Sequence, residues 1–459
     1  MMMDETIAAI SSASGEGGIG IIRISGERAY DICKAIFVPA AGKAIEDYSP
    51  RTMMYGHVQD GDIALDEVLA VYMKAPHSYT KEDVVEINCH GGYISLRKIL
   101  HLILKSGARL AEPGEFTKRA FLNGRLDLSQ AEAVMDIIKA KTDSSHSIAQ
   151  NQLEGGLSAK VRALKASVAA ILAHVEVSID FPEEDIEEIT MGVLREKTEQ
   201  LLEEMQELYK TAHTGKILRD GLSTVIAGKP NVGKSSLLNA LIGESRAIVT
   251  NIPGTTRDVI EEYINIKGIP LRLVDTAGIR STEDVVEKIG VEKTRQSIET
   301  ADLVMLVLDA SEKLSSEDIE ILELLGDKKC IVIINKTDLA PALDEKEIAS
   351  YVGGRSIIRI SAAESTGIRE LENEIAEMVY SGSVAYESSA IISNVRHKHA
   401  MEKAIGAAGE CIKGIDSGMP LDFVEIDLKN VWDSLGEITG DTVSEDLLDV
   451  IFSQFCLGK

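Results

Sequence analysis

The sequence is short of positive charge. Lys and Arg number 48 against 74 Asp and Glu, a formal net charge of −26 over 459 residues. Nucleic-acid affinity comes mainly from Lys and Arg on phosphates. The balance therefore argues against a general nucleic-acid coat, and any RNA contact must use a local basic patch or a partner's surface. Cysteines are few and scattered (Cys33, Cys89, Cys330, Cys411 and Cys456), with no CxxC spacing. That argues against a disulfide framework or a zinc site and for reduced thiols in a cytoplasm. No apolar run approaches the roughly 18 residues that a membrane helix needs. The segment MMMDETIAAI has no basic region ahead of an apolar core, so no secretory signal is expected.

What is present is the balance of a globular chain, 44% hydrophobic and 27% charged. The length predicts roughly two to four domains. Residues 1–118 hold short β-prone runs, IGIIRIS (19–25), EVLAVYM (67–73) and DVVEINC (83–89), and an amphipathic stretch LRKILHLILKSG (96–107) closed by Gly107. This mix predicts an α+β domain. Residues 119–218 read as long helices. Leu153, Leu157, Val161, Leu164, Val168, Leu172 and Val175 recur at spacings of four and three, and FPEED (181–185) breaks the pattern. Leu194, Leu201, Met205 and Leu208 then share one face, so two long antiparallel helices are the simplest reading. From 221 to 381 the pattern becomes strand–loop–helix, with apolar runs LSTVIA, LRLVD, LVMLVLDA, CIVIIN and IIRIS as expected of parallel strands covered on both faces. The stretch 382–459 is helical again, which predicts an all-α domain interrupted by an inserted α/β P-loop domain.

The most informative run is GKPNVGKS at 228–235, between a strand and a helix. In that setting backbone amides and the helix N-terminus favour phosphate, Lys234 reaches the β/γ oxygens and Ser235 ligates Mg2+. Asp275 of DTAG (275–278) ends a strand and suits a water-mediated magnesium contact, with Gly278 as a hinge bonding the γ-phosphate. In NKTD (335–338) the Asp338 carboxylate can accept from guanine N1–H and the 2-amino group, which adenine lacks. ISAA (360–363) would supply a backbone amide to guanine O6. Together these elements imply a GTP-hydrolysing switch. The expected GTP contacts are Asn231, Val232, Gly233, Lys234, Ser235 and Ser236; Thr250, Asn251, Ile252, Pro253, Gly254, Thr255 and Thr256 of TNIPGTTRD; Asp275, Thr276, Ala277 and Gly278; Asn335, Lys336 and Asp338; and Ser361 and Ala362. Thr256 or Thr255 would be the second Mg2+ ligand.

Ras-type switches carry a Gln just after DTAG to orient the attacking water. This chain has Ile279 there, so another group must act, and Glu283, Asp284 and Glu287 are the candidates. Asn231 lies where its side chain could meet a monovalent cation standing in for an arginine finger.

With GGIGIIRISG (17–26), PGEFTKRAFLNGRLDLSQAEAV (113–134), SIDFPEE (178–184), DTAGIR and the terminal FCLGK (455–459), the chain resembles the tRNA-modification GTPase family MnmE, also called TrmE, over essentially its full length. Ribosome-assembly GTPases, the rival reading as switches without modification chemistry, share the G motifs but not the first two segments or the last. A folate-dependent one-carbon enzyme with a regulatory G domain is a second rival.

The resemblance implies K+ bound by Asn231 and by carbonyls of Thr250, Ile252 and Thr255, and water orientation by Glu287. It implies a homodimer in which residues 1–118 form the dimerisation and 5-formyltetrahydrofolate-binding domain, with Arg23, Glu86, Arg125 and Lys459 at the folate pocket. It also implies a flavoprotein partner, MnmG, which alone carries FAD, and a tRNA substrate, with no membrane role. Cys456 would be functionally required near the folate site; without the family it reads as a small buried hydrophobe. NVRHKHA (394–400) offers a local basic patch, read more simply as a solvated helix face.

Overall fold

The computed structural model describes residues 5–13, 15–180, 191–244, 247–248, 262–274, 295–380 and 390–459. Its first body is a sheet backed by helices. The elements run β1 (Ile7–Ile10), β2 (Gly17–Ser25), α1 (Ala29–Ile36), β3 (Phe37–Pro39), β4 (Met53–Asp60), β5 (Ile63–Met73), β6 (Val84–Gly91), α2 (Tyr93–Lys105) and β7 (Arg109–Leu110). The strand order is β3-β4-β5-β6-β2-β1-β7, antiparallel except where β1 meets β7. Ile22 and Ile24 alternate inward along β2, as a half-buried strand requires, and meet Leu96, Ile99 and Ile103 of α2. Gly20 is needed where helix and strand touch, because a Cβ there would lie 2.7 Å from Leu96.

Helices α3 (Glu115–Leu122), α4 (Leu128–Lys139) and α5 (Asp143–Leu153) lead into α6 (Gly156–Asp180), α7 (Met191–Lys210) and α8 (Ala212–Asp220). A capping box between Asp127 and Gln130 starts α4. The apolar seam is buried at Leu157, Val161, Leu164, Val168 and Val175. Leu172 is only partly buried, with Ile171 taking its place, and Leu153 lies outside the helix, in α5. The helix predicted to run through 153 is broken by the Gly155-Gly156 pair, with Gly155 at φ +94°. The expected α6–α7 pairing is also secondary. Helices α13 (Val395–Asp416) and α14 (Leu421–Thr439) come between them, so that α6 packs mainly on α14 and α7 on α13.

After Gly221 the chain enters a second sheet. Its elements are β8 (Leu222–Ala227), α9 (Lys234–Glu244), β9 (Ala247–Ile248), β10 (Glu262–Ile266), β11 (Ile269–Leu273), β12 (Leu303–Asp309), α10 (Ser316–Leu324), β13 (Cys330–Asn335), α11 (Glu345–Val352), β14 (Ile357–Arg359) and α12 (Ile368–Tyr380). The order β14-β13-β12-β8-β11 is parallel, and β10 and β9 extend it antiparallel. The apolar runs are core on both sheet faces, as their composition demanded. The β10–β11 hairpin was not anticipated, although Lys267-Gly268, at φ +49° and +88°, is a turn signal of the hairpin kind.

The helical body holds this sheet through α8, whose Ile217 and Leu218 belong to the sheet's own core. Thr214 donates to the Val379 carbonyl of α12 at 3.1 Å, and Ser145 of α5 donates to the Leu218 carbonyl at 2.5 Å. The last helix, α15 (Glu445–Ser453), sets Phe452 and Phe455 against Phe121 and Leu128 and returns the C-terminus to the first sheet. Among the described residues no helix is long and apolar enough to cross a membrane.

Candidate nucleotide and folate sites

In parallel α/β sheets ligands lie beyond the carboxyl ends of the strands. Here β8, β12 and β13 deliver Gly228, Asp309 and Asn335 to that edge. The loop after β8 turns through residues that tolerate positive φ: Gly228 (+142°), Asn231 (+64°) and Gly233 (+100°). A Cβ on Gly228 would lie 2.4 Å from the Val307 carbonyl, and one on Gly233 would lie 2.2 Å from Asn335 Nδ2. Lys234 opens α9, and its Nζ donates to the carbonyls of Gly228 (2.7 Å) and Lys229 (2.8 Å). Burial lowers its pKa, and among the described residues no carboxylate pairs with it. A desolvated ammonium held by carbonyls alone is the donor that a phosphate group completes.

Asn335 joins the two halves of the site. Its Nδ2 donates to the Val232 carbonyl at 2.8 Å, and its Oδ1 accepts from the Ala362 amide at 3.0 Å. Ser361 donates to Asp338 Oδ1 at 2.6 Å, which fixes the carboxylate while leaving its second oxygen to a ligand. The Ser361 amide bonds the Thr366 carbonyl at 3.0 Å. The Ser361 and Ala362 amides thus both bond within the protein.

Sequence reasoning missed two supports. Lys336 pairs with Asp309 at 2.6 Å. Burial acts to raise the Asp309 carboxyl, but Lys336 and two bonds from Ser311 outweigh it and hold it low. Lys229 of the loop pairs with Glu312 at 2.7 Å and with buried Asp318 at 3.3 Å. An acid ending a buried strand, as in LVMLVLD, was the available signal for Asp309.

A second constellation forms where the C-terminus meets the first sheet. Arg23 of β2 bonds Glu86 of β6, directly across the ladder, through Nε (2.8 Å) and Nη2 (2.7 Å). The same guanidinium lies over Tyr79 (5.4 Å) and Phe116 (5.6 Å). Arg125 lies over the same Tyr79 ring at 4.6 Å and donates to the Tyr79 carbonyl at 3.0 Å. The Phe116 amide donates to the Lys459 carbonyl at 3.1 Å, and the Gly114 amide to the Cys456 carbonyl at 3.3 Å. Gly458, at φ +86°, lies where a Cβ would be 2.3 Å from the Ile10 carbonyl, so the tail is seated on β1. Cys456 is exposed, against its reading as a buried hydrophobe. Tyr79 and Phe116 were missed, because only the fold brings both rings to Arg23.

A family model described as "GTP-binding protein TrmE N-terminus" matches residues 6–125, and one described as "MnmE helical domain" matches 128–456. The chain is 62% identical, over its whole length and that of the relative, to the tRNA modification GTPase MnmE of Clostridioides difficile (strain 630). It belongs to the MnmE family. The tRNA modification GTPase MnmE of Bacillus subtilis (strain 168) is 52% identical over 99% of this chain and 100% of that protein. Among solved structures, the G domain of the T. maritima FeoB iron transporter is 31% identical over 34% of this chain and 97% of its own, with a TM-score of 0.26. Era in complex with MgGDPNP and a 16S ribosomal RNA segment is 31% identical over 40% of this chain and 66% of its own, with a TM-score of 0.28.

Within this MnmE-family chain, Arg23, Glu86, Arg125 and the Lys459 backbone come together, as do the loop residues Asn231 to Lys234 and the NKTD and ISAA segments. Thr250 to Thr256, Asp275 to Gly278, Ile279, Glu283, Asp284 and Glu287 lie outside the described residues. NVRHKHA is a solvated face only at Val395, Lys398 and His399. His397 is fully buried and bonds Glu132 at 2.7 Å, and Arg396 bonds both Glu132 oxygens, at 2.9 and 2.7 Å. Only part of that segment points outward.

Proposed function

We propose that this protein is a K+-stimulated GTPase. As a homodimer in the cytoplasm, with the flavoprotein MnmG carrying FAD, it adds a carboxymethylaminomethyl group to C5 of the wobble uridine of certain tRNAs. The observation that carries the reading is the Asn335 bridge, which mounts the phosphate loop and the Asp338 carboxylate on one frame. Residues 221–381 are the G domain, 119–218 with 382–459 the helical domain, and 1–118 the folate-binding and dimerisation domain.

In the G domain, Lys234 holds the phosphates and Asp338 selects guanine. Ser235 and Thr256 hold Mg2+, while Asn231 and the carbonyls of Thr250, Ile252 and Thr255 hold K+. When bound, the two cations neutralise phosphate charge, K+ in place of an arginine finger. Glu287 orients the attacking water, which Ile279 cannot do. Hydrolysis drives opening and closing of the G domains rather than the carbon chemistry itself.

5-Formyltetrahydrofolate suits the second constellation, with a flat ring for the partly buried Tyr79, a donor edge for Glu86, and carboxylates for Arg125 and Lys459. The test is GTP turnover in K+ and in Na+ buffers. Wild type should be faster in K+, and Asn231→Ala should lose the difference. Glu287→Ala should fall on the order of 10²–10⁴-fold in both salts. Equal wild-type rates in the two salts would sink the cation mechanism.

A further inference from the structure

In a chain with 74 acids to 48 bases, bases gathered on one surface without acids paired to them call for a cause. Such a surface lies where α8, the loop before β13 and α13 meet. Lys329 of that loop places its ammonium 3.3 Å from His213 Nε2, at the start of α8. Lys216 follows three residues along α8, on the same face by helical spacing. Lys398 of α13 lies over the Tyr209 ring at 5.7 Å. Burial and then the fields of Lys329, Lys216 and Lys398 lower the His213 pKa, so three ammonium groups act on one imidazole.

Among the described residues no carboxylate lies within ion-pair distance of Lys216, Lys329 or Lys398. Lys160, Lys210, Lys403 and Lys413 each have a glutamate within 3.1 Å. Two acids do face the patch: Asp302 opposes the lysines at His213, and the Tyr209 hydroxyl and then Lys398 hold the Glu402 carboxyl low. Asp302 accepts from the Ser223 amide at 3.1 Å, and Glu402 from the Tyr209 hydroxyl at 2.5 Å. Beside Lys329 opens a cleft of about 490 Å³, also lined by Lys328, Arg355 and Glu374. Ser356 occupies the Glu374 carboxylate.

We propose that this junction grips the phosphate backbone of tRNA. The proposal rests on the tRNA-modification reading and gives that substrate a place on the protein. Ammonium groups without an ion-paired carboxylate suit phosphates of any sequence, so the patch positions RNA rather than reading bases. Lys329 belongs to the nucleotide-binding sheet and Lys216 and Lys398 to the helical body, so the RNA touches both. A G-domain displacement then changes the grip.

The experiment uses the full chain and a fluorescent tRNA with uridine at the wobble position, titrated across a KCl series. The variant is Lys216→Ala/Lys329→Ala/Lys398→Ala. A control of equal charge change is Lys160→Ala/Lys210→Ala/Lys413→Ala. Intrinsic GTP turnover reports folding, since none of these residues lies in the GTP site. The patch variant should bind at least about tenfold more weakly, and its slope of log K against log salt should be shallower by roughly 2–3. The control should match wild type, and turnover should hold in both. If wild type binds tRNA and the patch variant matches it in affinity and slope, the location is wrong. Unchanged tRNA binding with lost modification in the presence of the flavoprotein would assign the patch to a protein partner and overturn the proposal. If wild type itself fails to bind tRNA, the tRNA reading falls with it.

Discussion

Five cysteines sit in two chemical conditions. Cys33, Cys89, Cys330 and Cys411 are buried; burial pushes the Cys33 thiol to about 12 and the other three to about 11. Only Cys456 is exposed, in the tail strapped to Gly114 and Phe116. Native protein should therefore take up one equivalent of a thiol reagent at neutral pH, and Cys456→Ser none. 5-Formyltetrahydrofolate should slow the labelling; mass spectrometry of the modified chain reads both outcomes, and labelling at a second cysteine would contradict the burial argument. At this scale the sequence displayed residue types better than roles. Asn335 was legible as part of a base-recognition motif. Its brace to Val232 and Ala362 was not, because a side chain bridging residues 103 and 27 positions away leaves no local pattern.

Helix α4 is locked to its neighbours by charge. Glu132 meets Arg396 and His397 of α13, and Asp136 meets Arg219 of α8 at 2.8 Å, three residues before β8 begins the second sheet. Burial acts to raise the Glu132 carboxyl, but His397 and Arg396 outweigh it and bring it to about 2. Burial pushes His397 itself toward its neutral form, which leaves Arg396 as the permanent charge on this carboxylate. A carboxyl held below its ordinary 4.5 contributes stability that is fully present above that pH and is lost as the pH falls toward about 2. Glu132→Gln strands a largely buried guanidinium, so it should destabilise the helical body by on the order of 3–5 kcal/mol at pH 7. The gap from wild type should narrow below about pH 4.5. Urea midpoints followed by helical circular dichroism at several pH values check this, and a gap independent of pH would count against the lock. The seam of α6 was readable because 3.6-residue periodicity is local. Its partner was not, since α14 enters some 250 residues later and displaces the neighbour that sequence order favours.

Across the whole molecule, the interruption of the helical body by a parallel sheet was legible from the change in pattern near 221 and the return to helices in the tail. Burial on both sheet faces leaves a near-continuous apolar run in every central strand. The β10–β11 hairpin and the seating of the C-terminus on β1 were less visible, being set by a two-residue turn and by distant partners. The fold places Asp338, the proposed guanine selector, the helical body and the C-terminal constellation in one chain, and the account holds that GTP use drives tRNA modification. Exchanging the nucleotide tests this most directly. Asp338→Asn replaces an acceptor pair with an acceptor and a donor, which suits xanthine in place of guanine. Wobble-uridine modification by the wild type with its flavoprotein partner should require GTP and ignore XTP. The variant should lose GTP-driven modification by about 10³-fold or more and recover it with XTP. Modification by Asp338→Asn that still runs on GTP, or that needs neither nucleotide, would contradict the account.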